Sequence, residues 1–304
     1  MSILIDIHTR VLVQGITGRE GSRASHSMLE YGTHVVAGVT PGKGGEMTED
    51  GVPVFNSVAE ALRAHSEINS TLIAVPGKFV RAAADEAINA HIPLINILSE
   101  NISIADIAYI IALAKQEGVI VVGPSSVGII SPGKAKIGSI GSGGLADTTF
   151  TPGFVGVISK SGGMTSEISR ILSEAHLGQS TALGIGGDAL IGFDFLDAAV
   201  LFEGDLETRA LVIFGEVGGT YEDRLADAIR EGVITKPVVA LIAGVFAEQL
   251  PLGTTLGHAG AIIEGERGKA SVKIATLREV GAHIASTPEE IVTILTNLLH
   301  IYAI

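Results

Sequence analysis

Gln14-Gly15-Ile16-Thr17-Gly18-Arg19-Glu20-Gly21 closes the β-branched run Val11–Gln14 and leads directly into the helical periodicity of Glu20–Glu30. A short apolar strand that ends in glycine and turns at once into a helix opens a β-α-β unit. The glycines fall at Gly15, Gly18 and Gly21, so the second is displaced from the G-x-G-x-x-G dinucleotide fingerprint. The start of the helix still offers free amides and the positive end of a dipole to an anion. A tight turn with no ligand would use the same glycines.

Outward from this turn, apolar runs at Val35–Val39, Leu72–Val75, Leu94–Leu98 and Val119–Val122 alternate with helical periods at Val58–Ala64, Val80–Ala90 and Ile104–Gln116. Uniformly apolar strands separated by helices predict a parallel sheet covered on both faces. From Gly123 to Gly153 the chain turns rich in Gly, Ser, Pro and Thr, and residues 126–152 read as a linker. The alternation then restarts, with strands expected at Gly156–Ser159, Ala182–Ile185, Leu211–Gly215, Val238–Ala243 and His283–Ala285. Helices are expected at Met164–Glu174, Phe193–Phe202, Tyr221–Glu231, Ala270–Val280 and Glu289–His300. The expectation is two doubly wound α/β domains, residues 1–125 and 153–304. Ligands of such sheets sit beyond the carboxyl ends of the strands.

Composition narrows the function. Of 304 residues 46% are hydrophobic and 17% charged, enough apolar material for large cores. The net charge of −13 and the lack of Trp argue against a nucleic-acid partner. With no Cys, disulfides, thiolate catalysis and cysteine-based metal sites are excluded, which fits a reducing cytoplasm. Met1–Arg10 mixes acidic and basic residues and does not read as a signal peptide; no apolar run reaches the roughly 18 residues of a membrane span.

Three further stretches carry chemistry. Thr40-Pro41-Gly42-Lys43-Gly44-Gly45 ends the second strand where an NAD site would hold an acidic residue, so a phosphate-rich ligand other than NAD is expected there. Ser159-Lys160-Ser161-Gly162-Gly163-Met164 is again strand, small residues, helix, a nest for a phosphoryl group or equally a bare cap. Gly257-His258-Ala259-Gly260 sets one of nine histidines between glycines, away from any regular apolar face. Neutral imidazole can accept and return a phosphoryl group, and a carboxylate on its second nitrogen would fix its tautomer. Glu216, in Gly215-Glu216-Val217-Gly218-Gly219 at a strand end, is the candidate carboxylate.

With Gly15–Gly18, Val39–Gly45, Pro53-Val54-Phe55-Asn56, Gly184–Asp188, Gly215–Gly219 and Gly257–Ala261, the chain resembles the alpha subunit of succinyl-CoA synthetase and its acid–CoA ligase relatives over nearly its whole length. The resemblance implies an N-terminal Rossmann-like coenzyme A-binding domain followed by a flavodoxin-like ligase domain. It implies that Thr17, Gly18, Arg19, Glu20, Lys43, Leu98, Ser99 and Glu100 hold coenzyme A, that His258 is phosphorylated in turnover, and that Glu216 supports it. Ser161, Gly162 and Gly163 would cradle the phosphoryl group. It further implies an ATP-grasp beta subunit as partner, in an αβ or α2β2 assembly, binding ATP or GTP with Mg2+; the chain itself shows no Walker A motif and no metal site. A small carboxylic acid would be the third substrate. Departures fall at Ser125 and Ser126, where succinyl-CoA synthetases read G-P-N-C-P-G, and at Gly163 and Ser166, where they read S-G-T-L-T-Y-E. Both segments look more like citryl-CoA synthetase and ATP-citrate lyase, which opens citrate beside succinate as the acid. A non-catalytic coenzyme A-binding protein of the same fold is the alternative from another class.

Overall fold

A computed structural model describes residues 2–250, 254 and 256–300. In the first half, strands β1 (Arg10–Gln14), β2 (His34–Val39), β3 (Val54–Phe55), β4 (Ser70–Ile73), β5 (Leu94–Ile97) and β6 (Ile120–Val122) form an all-parallel sheet in the order β3-β2-β1-β4-β5-β6. This is the dinucleotide-fold order, reversing between β1 and β4. Helices α1 (Arg19–Glu30), α2 (Val58–Ala64), α3 (Gly77–Asn89) and α4 (Ile104–Glu117) are its crossovers. Their ends follow local chemistry. Ser57 and Ser103 accept from Glu60 N and Asp106 N as N-caps, and Gly118 closes α4 in the left-handed conformation.

The second sheet has seven strands: β7 (Gly128–Ser131), β8 (Ala135–Gly138), β9 (Pro152–Ser159), β10 (Gln179–Gly184), β11 (Ala210–Glu216), β12 (Val238–Ala243) and β13 (His283–Ala285). Their order is β13-β12-β11-β9-β10-β7-β8. Numbered from β9, its five parallel strands run 2-1-3-4-5, the flavodoxin-like winding, with the switch point between β9 and β11. Six helices follow: α5 (Ala146–Thr149), α6 (Gly162–Glu174), α7 (Phe195–Gly204), α8 (Tyr221–Arg230), α9 (Ala270–Glu279) and α10 (Pro288–Leu298). Asp194 and Asp197 cap α7 reciprocally, and Thr287 caps α10 with Pro288 in its first turn.

One expectation needs correction. Residues 126–152, read as a linker, contain the β7–β8 hairpin, which runs antiparallel to β10 and extends the second sheet. Two glycines there, Gly128 and Gly138, mark close packing: a Cβ on Gly128 would collide with the Ile137 carbonyl oxygen. Ser131 Oγ lies 2.8 Å from Thr181 Oγ1 in the interior. The hairpin also binds the first half, because buried Lys136 donates to Ser27 Oγ of α1 at 2.6 Å and to Ile140 O at 2.9 Å. Burial pushes that lysine down to about 8. The two halves are thereby joined so that the carboxyl ends of β5 and β6 face those of β9 and β10 across a cleft.

Candidate functional site

At the switch point of the first sheet lies a cavity of about 530 Å³, lined by Gly15, Thr17, Gly18, Thr40, Val75, Pro76 and neighbours. Gly15 has φ +85°, and a Cβ there would stand 2.6 Å from the Ala74 carbonyl oxygen, so the turn between β1 and α1 passes the end of β4 only as glycine. Gly18 caps α1 with no side chain on the helix amides, which leaves them open to an anion. Thr17 Oγ1 donates to Thr40 Oγ1 at 3.1 Å. Arg19 and Glu20 are exposed, 3.8 Å apart, and Arg19 with Arg23 and His26 borders an adjoining opening of about 570 Å³. Lys43 stands exposed on a loop shaped by Asn56 Oδ1, which accepts from Gly42 N at 2.9 Å and Gly44 N at 3.0 Å.

The switch point of the second sheet gathers the other candidates. Glu216 is the last residue of β11, Lys160 and Ser161 follow β9, and His258 arrives on the loop beyond β12. His258 Nδ1 is 2.7 Å from Glu216 Oε2. That hydrogen bond raises the imidazole above its ordinary 6.5, against the opposing pull of burial. The loop is seated by backbone bonds, Gly260 N to Gly187 O at 2.9 Å and Ala261 N to His258 O at 3.1 Å. The imidazole packs face to backbone on Gly187, whose Cβ would lie 2.6 Å from His258 Cγ.

Glu216 is itself held from beneath. Lys273, wholly buried, donates to Glu216 O at 2.9 Å, Gly218 O at 2.5 Å and Glu222 Oε2 at 2.6 Å. The other oxygen of Glu222 accepts from Glu216 N at 3.3 Å. Both peptide groups of the residue that faces His258 are therefore anchored by one buried ion pair. Burial holds the lysine below its ordinary value, with Glu222 opposing.

Between the halves a second cavity of about 420 Å³ brings Leu98, Glu100, Ser125 and Ser126 together with Gly162, Gly163 and His258. Lys160, Gly187 and Asp188 also line it. Several expected residues sit otherwise. Ser161 caps α6, accepting from Met164 N at 3.4 Å, and is not among the residues that line the cavity. Ser99 Oγ donates to Val75 O at 2.5 Å, tying this wall to the first cavity. Ser126 is wholly buried, its hydroxyl donating to Gly184 O at 2.6 Å and accepting from Asn96 Nδ2 and Gly128 N. Ser166 Oγ turns to Gly162 O at 3.5 Å, outside the lining. Ser125 Oγ reaches Asp188 Oδ2 across the cleft.

Sequence reasoning missed Lys160, Asp188 and the Glu222–Lys273 pair. Lys160 and Asp188 lay inside motifs singled out for their glycines and serines. The pair lies 51 residues apart and carries no local pattern. Among the described residues no group of three or more His, Asp or Glu could hold a metal ion, and no helix is long and apolar enough to cross a membrane.

Residues 6–101 match the profile of the CoA binding domain and residues 158–283 that of the CoA-ligase family. Succinate–CoA ligase [ADP-forming] subunit alpha 1 of Archaeoglobus fulgidus is 44% identical over 299 residues, 98% of this chain and 99% of that protein. An ADP-forming sulfoacetate-CoA ligase subunit of Acholeplasma sp. is 41% identical over 298 residues, 98% of either chain. Among solved structures, ATP citrate lyase of Methanothrix soehngenii in complex with citrate and coenzyme A superposes with a TM-score of 0.91 at 26% identity, over 98% of this chain and 51% of that one.

Proposed function

The chain belongs to the succinate–CoA ligase alpha-subunit family, and on that premise we propose that it is the catalytic alpha subunit of an ADP-forming acid–CoA ligase working through a phosphohistidine at His258. The 2.7 Å contact between His258 Nδ1 and Glu216 carries this reading. With Nδ1–H donated to the carboxylate, the lone pair of the neutral ring is on Nε2, on a residue that lines the same cavity as Gly162 and Gly163 at the start of α6.

Three transfers follow. Nε2 attacks the terminal phosphorus of a nucleoside triphosphate, the N–P bond forms, and the bond to the leaving diphosphate breaks. Glu216 opposes the positive charge left on the ring. A carboxylate oxygen of the acid then takes the phosphoryl group, giving an acyl phosphate and returning neutral His258. The thiol of coenzyme A attacks the acyl carbon and inorganic phosphate leaves. Phosphorylation turns the poor leaving group of the carboxylate into phosphate, which the thiol then displaces, and the amides of α6 face the transferred charge.

Coenzyme A enters this reading as a substrate along the first cavity, its phosphates toward the open amides of α1 and Thr17, Gly18, Arg19, Glu20 and Lys43, its thiol end toward Leu98, Ser99 and Glu100. The nucleotide, ATP or GTP with Mg2+, is assigned to an ATP-grasp beta subunit in an αβ or α2β2 assembly in the cytoplasm. Succinate is the acid this family membership favours. A second reading, a bulkier acid such as citrate, draws on Gly163, where a Cβ would meet only Ser161 Oγ at 3.9 Å, and on the likeness to ATP citrate lyase.

The test is intact mass of the chain copurified with its partner and mixed with Mg-ATP alone. One acid-labile phosphoryl group, absent in His258→Ala, is expected. No gain in a folded complex refutes the reading. Turnover with succinate, citrate and sulfoacetate then separates the acids.

A further inference from the structure

Lys160 sits where charge should be scarce. It follows β9 and precedes the cap of α6, its side chain is 1% exposed, and it lines the cavity that His258 shares. A buried ammonium has three donors to satisfy. This one has no hydrogen-bond acceptor among the described residues: its carboxylate neighbour, Glu216 Oε1, is 3.7 Å away, and the ring of Tyr221 is centred 5.9 Å away. Glu216 Oε1 is likewise buried without a hydrogen bond. The Glu216 carboxylate is thus divided, one oxygen held by His258 and the other facing a lysine that stops short of it.

The neighbouring carboxylates do not absorb the charge. Asp188 across the cavity is taken by Ser125, and Glu222 by Lys273. The open side of the ammonium is the cavity, where the α6 amides of Gly162 and Gly163 are also presented. Amides, a buried cation and the imidazole therefore converge on one small volume. A dianionic group bound there would meet helix amides on one side and Lys160 on another.

We infer that Lys160 is a catalytic residue, donating to an oxygen of the phosphoryl group as it passes to and from Nε2 of His258. This rests on the phosphohistidine reading above. As the N–P bond forms and the bond to the diphosphate breaks, negative charge spreads over the equatorial phosphoryl oxygens while positive charge appears on the ring. Glu216 answers the second and Lys160 the first. The 3.7 Å gap keeps the two responses separate, because a closed lysine–carboxylate bond would take one of the three donors and draw the ammonium toward Glu216.

The test measures single-turnover formation of phosphohistidine on the complex with its partner, with Mg-ATP as donor, by quenched intact mass. Lys160→Met is expected to slow it by about 100-fold or more, the usual loss of one donor to developing charge. Lys160→Arg should stay within about tenfold of wild type, since the guanidinium retains charge and donors. Coenzyme A affinity and the circular-dichroism melt, measured in parallel, should be unchanged. Lys160→Gln, neutral but able to hydrogen-bond Glu216, carries the same expectation as the apolar variant and replaces it if that one melts. Phosphorylation within about threefold of wild type in Lys160→Met or Lys160→Gln overturns the inference. So does normal phosphorylation with a raised KM for the acid, which would assign Lys160 to the acid carboxylate. Absence of phosphohistidine in the wild-type complex would instead overturn the functional reading beneath it.

Discussion

Gly187→Ala separates position from chemistry at this site. The φ of Gly187 lies outside the left-handed region, so alanine meets no backbone strain. Its Cβ, however, would lie 2.6 Å from His258 Cγ, 2.8 Å from Cδ2 and 3.0 Å from Nδ1. Carbon atoms rest at about 3.5–4.0 Å, so the ring must retreat by about 1 Å. The half-exposed imidazole can swing off its rotamer at a cost of about 1 kcal/mol, but the 2.7 Å bond to Glu216 does not survive that movement. A misplacement of about 1 Å in a reacting group costs about 100-fold in rate. Phosphohistidine formation from Mg-ATP, followed by intact mass on the copurified complex, should fall by that factor while coenzyme A affinity and the circular-dichroism melt stay at wild-type values. A rate within about threefold of wild type would refute the claim that contact with the Gly187 backbone sets the imidazole.

Three other perturbations test the surroundings. Lys273→Met leaves Glu222 buried without its partner and should destabilise the chain by about 3–5 kcal/mol in urea, with Lys273→Met/Glu222→Gln recovering a substantial part; the absence of Trp makes circular dichroism the probe, and additive losses would disprove the coupling. Because Glu216 raises the imidazole and only the neutral ring attacks, the rate of phosphorylation should climb with pH through a midpoint above 6.5, and Glu216→Gln should move that midpoint down while lowering the plateau. An unmoved midpoint would remove Glu216 as the cause. Lys43→Glu should raise the Kd of coenzyme A by about tenfold at low salt, less as salt is added, and an unchanged Kd in calorimetry would take Lys43 out of the binding site.

The alternation of short apolar strands with helical periods was readable from the chain alone, because each element buries a face that its own residues define. Caps at Ser103, Asp194 and Thr287 act within three residues of themselves and belong to the same local information. Glycine content was read less well. Gly128 and Gly138 suggested a linker, yet they let two strands of a hairpin close on each other, a distinction that depends on which backbone lies opposite.

The site divides in the same way. His258 stood out through its glycine neighbours and Glu216 through its place at a strand end, so the sequence by itself named the two groups that meet at 2.7 Å. It also named Leu98, Glu100, Ser125, Ser126, Gly162 and Gly163 of the cavity wall, but not Lys160 or Asp188. Only the tertiary structure decided that Ser126 and Ser99 turn their hydroxyls to backbone carbonyls, that Glu222 and Lys273 grip Glu216 from below, and that Lys160 stops 3.7 Å short of a carboxylate. Periodicity and caps are properties of neighbours along the chain, whereas the partner of a buried charge is set by the winding of the sheet that brings distant strand ends together.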